Sequence, residues 1–345
     1  MMKYNSTRIQ SSLRHLTVRN VIEMVYSGRL NPTPAYGSVS ISSRLKRSRD
    51  IEMLILGVPF EALWVEEDAL GETRLLSGFD LVENIRAFIF DGFKLSDLNI
   101  LKHLNGFGYE HIDYAERRHF DEMLLSLNLI TYDSNSLLKC VLVERINLDK
   151  YGSDAAQLSR NIIFPACAEY ISNVADDVLM NGSRISTGQN TYRTRLRLQR
   201  DIALCLLIFF LIEYPSYLNI RDSQDSYIYS RSHSLEYSYE NPVDIDFNDD
   251  LDFAVNKFMW SQEKRGLYHQ RVTRKFEVVL SSVLKYEHII VRASGRRYFA
   301  SRKTKNHSGL TLPEHMIALL KPDITLHRLE SVSTMGELLG ILKND

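Results

Sequence analysis

Long apolar runs are missing from this chain. The longest, Ile202 to Ile212, falls short of the about 20 residues that a bilayer-spanning helix needs, so no membrane partner is expected. The N-terminus is polar and lacks the apolar stretch of a signal peptide. Cysteine is scarce as well. Cys140, Cys167 and Cys205 lie far apart, in neither metal-ligand nor disulfide spacing, which is the usage of a reducing, cytoplasmic compartment. No Gly-Lys-Ser/Thr phosphate loop, His-Glu-X-X-His or Gly-X-Ser-X-Gly occurs, and Gly106-Phe107-Gly108 lacks the third glycine of a dinucleotide loop, so it reads as a turn. His288, His307, His315 and His327 are scattered without paired ligand spacing, and no metal is expected.

What is present is an ordinary globular composition. The 345 residues are 44% hydrophobic and 25% charged, with length for one large or two ordinary domains. Net charge is only -1 but unevenly spread. Lys264 to Lys305 is strongly basic and Ile51 to Lys150 leans acidic, a field that suits a polyanion or an acidic protein surface as partner, or a solvated basic face with no ligand.

Apolar periodicity predicts a helix over Leu16–Ser27, N-capped by Thr17 and ended by Gly28, and a short helix over Asp50–Leu56 stopped by Gly57 and Pro59. Ala62–Val65 and Thr73–Leu76 read as strands, and Asp80–Asp91 as a helix with Asp80 as its N-cap. Leu127–Tyr132 and Leu138–Val143 read as two further strands. From Ser153 the pattern is mainly helical, over Asp154–Met180, Thr194–Glu213, Asp250–Trp260 and Val272–Tyr286, with 221–249 as a long polar loop. The expected architecture is α+β, with a mixed domain over residues 1–150 and a mainly helical domain over 151–345.

Five features follow in order along the chain. They are Leu16-Thr17-Val18-Arg19-Asn20-Val21 with Ser27-Gly28-Arg29-Leu30; Leu54-Ile55-Leu56-Gly57-Val58-Pro59-Phe60; Leu75-Leu76-Ser77-Gly78 running to Ala87-Phe88; Leu104-Asn105-Gly106; and Glu144-Arg145-Ile146-Asn147 with Leu158-Ser159-Arg160-Asn161. This order and spacing resemble the N-terminal, ParB/sulfiredoxin-like domain of GmrSD-type restriction endonucleases. The helical continuation, including Arg197 to Phe210, resembles the family's following part, to about Glu287. The resemblance implies a nucleotide-hydrolysing scaffold used against modified phage DNA, and hence a nucleotide as candidate cofactor.

The departures from that pattern are chemical. The family's Pro-X-aromatic-Gln-Arg corresponds here to Pro34-Ala35-Tyr36-Gly37-Ser38, without amide or guanidinium. Its Asp-Gly-Gln-Gln-Arg corresponds to Ser77-Gly78-Phe79-Asp80-Leu81, where only the glycine survives. Phosphoryl transfer needs a carboxylate to hold a metal or orient water, and cations to stabilise developing charge. The resemblance therefore implies a catalytically degenerate member, with Ser77, Gly78 and Asp80 as the remnant loop. Two alternatives stay open: an active NTP-dependent nuclease using displaced residues such as Asp80 and Arg44, and a structural or assembly protein of a phage or mobile element.

Candidate anion or nucleic-acid contacts fall in three places. Arg44, Lys46, Arg47 and Arg49 form a basic cluster after the lost Gln-Arg pair, readable as a solvated loop or as phosphate ligands. Arg193, Arg197 and Arg200 share a face at a helix N-terminus, where cations are unfavourable by about 0.3–1 kcal/mol each unless offset by an anion or by the acidic N-terminal domain. Arg292, Arg296, Arg297, Arg302 and Lys303, interleaved with Tyr298 and Phe299, read as a basic hairpin near 289–303. A homo-oligomer or a heteromeric complex is compatible with all three.

Overall fold

The computed structural model describes residues 9–32, 43–68, 71–131, 134–181, 192–221, 243–264, 270–284, 311–321 and 332–343. The chain divides into two compact units, Met1–Asp149 and Lys150–Asp345. It is mixed α/β, with helices dominating a small mixed sheet.

In the first unit, β1 (Ser11–Thr17), β2 (Leu30–Asn31), β3 (Leu63–Glu67), β4 (Thr73–Ser77) and β5 (Leu124–Thr131) form one sheet in the order β1-β5-β3-β4-β2. β1 runs antiparallel to β5 and β3 antiparallel to β4, whereas β3 with β5 and β2 with β4 are parallel pairs. Period-two alternation buries Leu125, Leu127 and Leu129 of β5. Helices α1 (Val18–Tyr26), α2 (Arg44–Ile55), α3 (Phe79–Phe90) and α4 (Tyr114–Glu122) pack together, α2 lying against both α3 and α4. Thr17 caps α1 as its sequence predicts, its hydroxyl accepting from the Asn20 N–H at 3.1 Å.

Several expectations need correction. β1, an exposed polar strand, has no apolar alternation and was not anticipated. The basic cluster at 44–49 is not a loop but the first half of α2, capped by Ser43. Leu138–Val143 is not a strand, because α5 spans Ser136–Tyr151. The Asn135 side chain accepts from the N–H groups of Leu137 and Leu138 and nucleates that helix, and Leu137, Cys140, Val143 and Asn147 are buried at helical spacing. Asp80 is not an N-cap either: Gly78 holds that position and Asp80 lies inside the first turn of α3.

In the second unit, the helix expected over 154–180 breaks at Phe164-Pro165 into α6 (Ala155–Ile163) and α7 (Pro165–Asn181). Helix α8 (Tyr192–Glu213) carries the apolar run Ile202 to Leu211, every residue of it buried. It packs against α6, α7, α9 (Leu251–Lys264) and α11 (Leu312–Leu320), so the apolar run is the buried core of a helical bundle. Phe210 sits 5.1 Å from Phe258 and Phe209 5.6 Å from Phe276 of α10 (Gln270–Val283), ring centre to ring centre. β6 (Leu218–Arg221) and β7 (Val243–Asp246) pair in parallel, so the end of the expected loop is strand. Helix α12 (Met335–Lys343) closes the described chain. Cys140, Cys167 and Cys205 are buried free thiols, and no helix among the described residues is long and apolar enough to cross a membrane. The predicted hairpin near 289–303 and residues 222–242 of the loop lie outside the described residues.

Candidate functional site

The turn from β4 into α3 carries Ser77, Gly78 and Asp80, the loop that the sequence singled out. Ser77 ends β4 opposite Trp64 of β3. Gly78 follows with φ +91°, a conformation that L side chains rarely adopt, and a Cβ there would lie 2.2 Å from Leu63 Cδ2. Backbone conformation and close packing therefore both require glycine at this point. Phe79 is fully buried and Leu81 nearly so, which fills the turn with apolar side chains. Asp80 is also buried, and its Oδ2 receives the Lys46 ammonium at 3.2 Å. Asn147 of α5 donates to the Leu76 carbonyl at 2.9 Å and to the Val143 carbonyl at 2.8 Å, so it anchors the end of β4 while Arg145 stays exposed.

Along α2 the inward residues form a polar ladder to α3. Arg47 Nε donates to Asn84 Oδ1 at 3.2 Å, and the fully buried Asn84 amide passes on to Asp50 Oδ2 at 2.8 Å. The Arg47 guanidinium also stacks over Phe93, 5.0 Å from the ring centre. Arg44 and Arg49 are exposed.

The other inward face of α2 holds the connection 92–108. Ser48 Oγ accepts from the Ser96 N–H at 3.0 Å. The carboxylate of Glu52, fully buried, accepts from the N–H groups of Asn99, Ile100 and Leu101 at 3.1, 2.6 and 2.7 Å. Burial pushes the Glu52 pKa up, but the hydrogen bonds from Leu101, Ile100 and Asn99 outweigh it, and the group is held below its ordinary 4.5. These bonds join α2 to a connection whose only regular element among the described residues is a 3-10 turn over Lys102–Leu104. Sequence reasoning missed this, although a Glu on the apolar side of an amphipathic helix is a readable signal of a buried partner.

A separate ionic knot lies in the second unit. Arg160, wholly buried, donates from Nε to Asn256 Oδ1 at 2.6 Å, from Nη1 to Gln157 Oε1 at 3.2 Å, and from Nη2 to the Asp252 carbonyl and Oδ1 at 2.8 and 2.7 Å. Arg200 also binds the Asp252 carboxylate, and Arg197 Nε reaches Asp154 Oδ1 at 3.2 Å. Burial raises the Asp252 pKa, but Arg160 and Arg200 overcome that and bring it down to about 2. Arg197 and Arg200 of α8 thus pair with Asp154 and Asp252 of their own unit, where the acidic N-terminal domain or a bound anion was expected as the offset. Arg193 lies in the first turn of α8, and its side chain is outside the described residues. Gln157, Arg160 and Asn161 sit at i, i+3 and i+4 on a helix with no exposed residue, the signal by which this knot was readable.

Arg292, Arg296, Arg297, Arg302 and Lys303 lie outside the described residues. Among the described residues, no group of three or more His, Cys, Asp or Glu is placed to hold a metal ion. Compared with family models, with curated proteins and with solved structures, this chain finds no match.

Proposed function

We propose that this protein is a binding subunit on a catalytically degenerate, ParB/sulfiredoxin-like scaffold of the GmrSD type, acting in phage defence or on a mobile element. Its ligand is a polyanion, either nucleic acid or an acidic protein surface, and the basic first half of α2 is the contact in the first unit. The observation that carries this reading is the state of the β4–α3 turn. Asp80 is ion-paired to Lys46, Phe79 and Leu81 are packed inside, and Gly78 is explained by its backbone and by Leu63. Removing a single hydrogen-bond donor that stabilises a developing oxyanion costs about 10²–10³ in rate, and by analogy loss of a charged group at a phosphoryl centre costs at least as much. Here the leading carboxylate and the arginines of both family motifs are replaced together.

Arg44, Lys46 and Arg47 stand in the first turn of α2 with no acidic residue there, and cations at that end oppose the helix macrodipole by about 0.3–1 kcal/mol each. An anionic partner offsets that cost. The test is phosphate release from each common NTP by the purified full chain, with Asp80→Asn beside it. The reading expects no turnover above buffer in either protein, and robust turnover abolished by Asp80→Asn would overturn it.

A further inference from the structure

The polyanion reading above leaves the class of ligand open, and the surface that α2 builds with the connection 92–108 narrows it. We infer that this surface binds single-stranded nucleic acid, with Arg44, Arg47 and Lys94 on phosphates and Phe93 and Phe107 as stacking platforms; the inference rests on the polyanion reading.

Arg44 and Arg47 are three residues apart and share one side of α2. Arg47 is fixed against Asn84 and stacked on Phe93, so one cation of the surface is already oriented beside an aromatic face. Two residues after Phe93, Leu95 pairs with the far end of the connection: its N–H donates to the Phe107 carbonyl at 2.9 Å, and its carbonyl accepts from the Gly106 N–H at 2.8 Å. That pairing sets the backbone of Phe107, a side chain 41% exposed, opposite Leu95, the residue after the exposed Lys94. Asp91 pairs with Arg86 at 2.8 Å, a cation that it shares with Glu83, and Asp97 of the connection is exposed, so the cations must outweigh these carboxylates for an anion to bind.

An exposed phenylalanine on a connection that also carries a cation is a poor solvated surface and a good one for unpaired bases. Every base has a π-face to stack, whereas a duplex hides those faces and offers the cations alone. An acidic peptide uses the cations but gains nothing from Phe107. The three N–H bonds into Glu52 and the Ser48–Ser96 bond hold the connection in place before binding, which spares the ligand the cost of ordering it.

The experiment is fluorescence anisotropy with the full-length protein and three labelled probes: an oligothymidylate of about 16 nucleotides, a duplex of equal length, and polyglutamate. The variants are Phe107→Ala, Arg44→Ala and Lys94→Ala, each checked by circular dichroism. The expected result is tightest binding to oligothymidylate. Phe107→Ala weakens that probe roughly fivefold or more while leaving the duplex unchanged, as the loss of one stacking contact requires. Arg44→Ala and Lys94→Ala each lower the slope of log K against log salt by about 0.7 for the single strand, a change that a merely structural role would not produce.

Equal or tighter binding of the duplex, preference for polyglutamate, or oligothymidylate affinity indifferent to all three variants each refutes the single-strand assignment. The first two leave the polyanion reading standing. Binding of no probe at low salt refutes both.

Discussion

Glu52 is the residue that makes a helix and an irregular connection into one body, and Glu52→Gln isolates its charge. The carboxylate now accepts three backbone N–H bonds, with Oε1 taking Ile100 and Leu101 and Oε2 taking Asn99. Gln keeps the shape but replaces one acceptor with an amide that faces a donor, and it turns the remaining bonds from charge-assisted to neutral. A hydrogen bond to a charged group contributes about 1.5–3 kcal/mol and a neutral one about 0.5–1.5. Because Asn99 and Ile100 are exposed and water can replace part of the loss, the local cost is about 2–3 kcal/mol.

The assay is native-state hydrogen exchange at Asn99, Ile100 and Leu101. Opening of 92–108 without global unfolding should speed exchange at Ile100 and Leu101 by roughly 30- to 150-fold. The pH dependence follows with its sign. The folded pKa of Glu52 lies below 4.5, so its contribution is present above that value and is lost as pH falls through the folded value. Acidification should therefore release these amides in the wild type, after correction for intrinsic rates, and leave Glu52→Gln unchanged. Identical protection in the two proteins at neutral pH would refute the argument that the carboxylate holds the connection.

Two further outcomes concern stability. Gly78→Ala combines positive-φ strain of about 1–2 kcal/mol with displacement of buried Leu63, about 1 kcal/mol more, whereas Gly57→Ala, at φ +74° with open space around it, carries the backbone cost alone. Urea titration checks the difference, and equal losses would show that packing against Leu63 does not explain the glycine. Asp252→Asn leaves Arg160 buried without its carboxylate and should cost about 3–5 kcal/mol. In the wild type the depressed Asp252 pKa contributes stability above its unfolded value of about 3.8, worth about 2 kcal/mol, which disappears as pH falls from about 4 toward about 2. Acid titration of the variant should lack that component.

The sequence carried the local structure better than the chemistry. Thr17, Gly28 and the stripe of α1 are short-range signals, and so are the strands around the acidic turn before Thr73. Leu138–Val143 failed because a short apolar run fits a buried strand and a buried helix equally, and the deciding residue, Asn135, lies outside the run. β1 failed because an exposed edge strand has no alternation to read. The fate of the cations was hidden for another reason. Lys46 meets Asp80, and Arg200 meets Asp252, only through contacts far apart in sequence, which no spacing rule encodes. The same holds for Glu52 and the Ile100 amide. Gly78 stood out as the glycine that survives in its loop, but its positive φ and the approach of Leu63 are visible only in the fold.

The account turns on the β4–α3 turn being a packed corner rather than a reaction centre. Phosphate release by the full-length protein, measured over each NTP with and without divalent cation, tests that most directly. The prediction is a rate indistinguishable from buffer for the wild type and for Asp80→Asn alike. Turnover by the wild type that Asp80→Asn removes, with the fold intact, would contradict it.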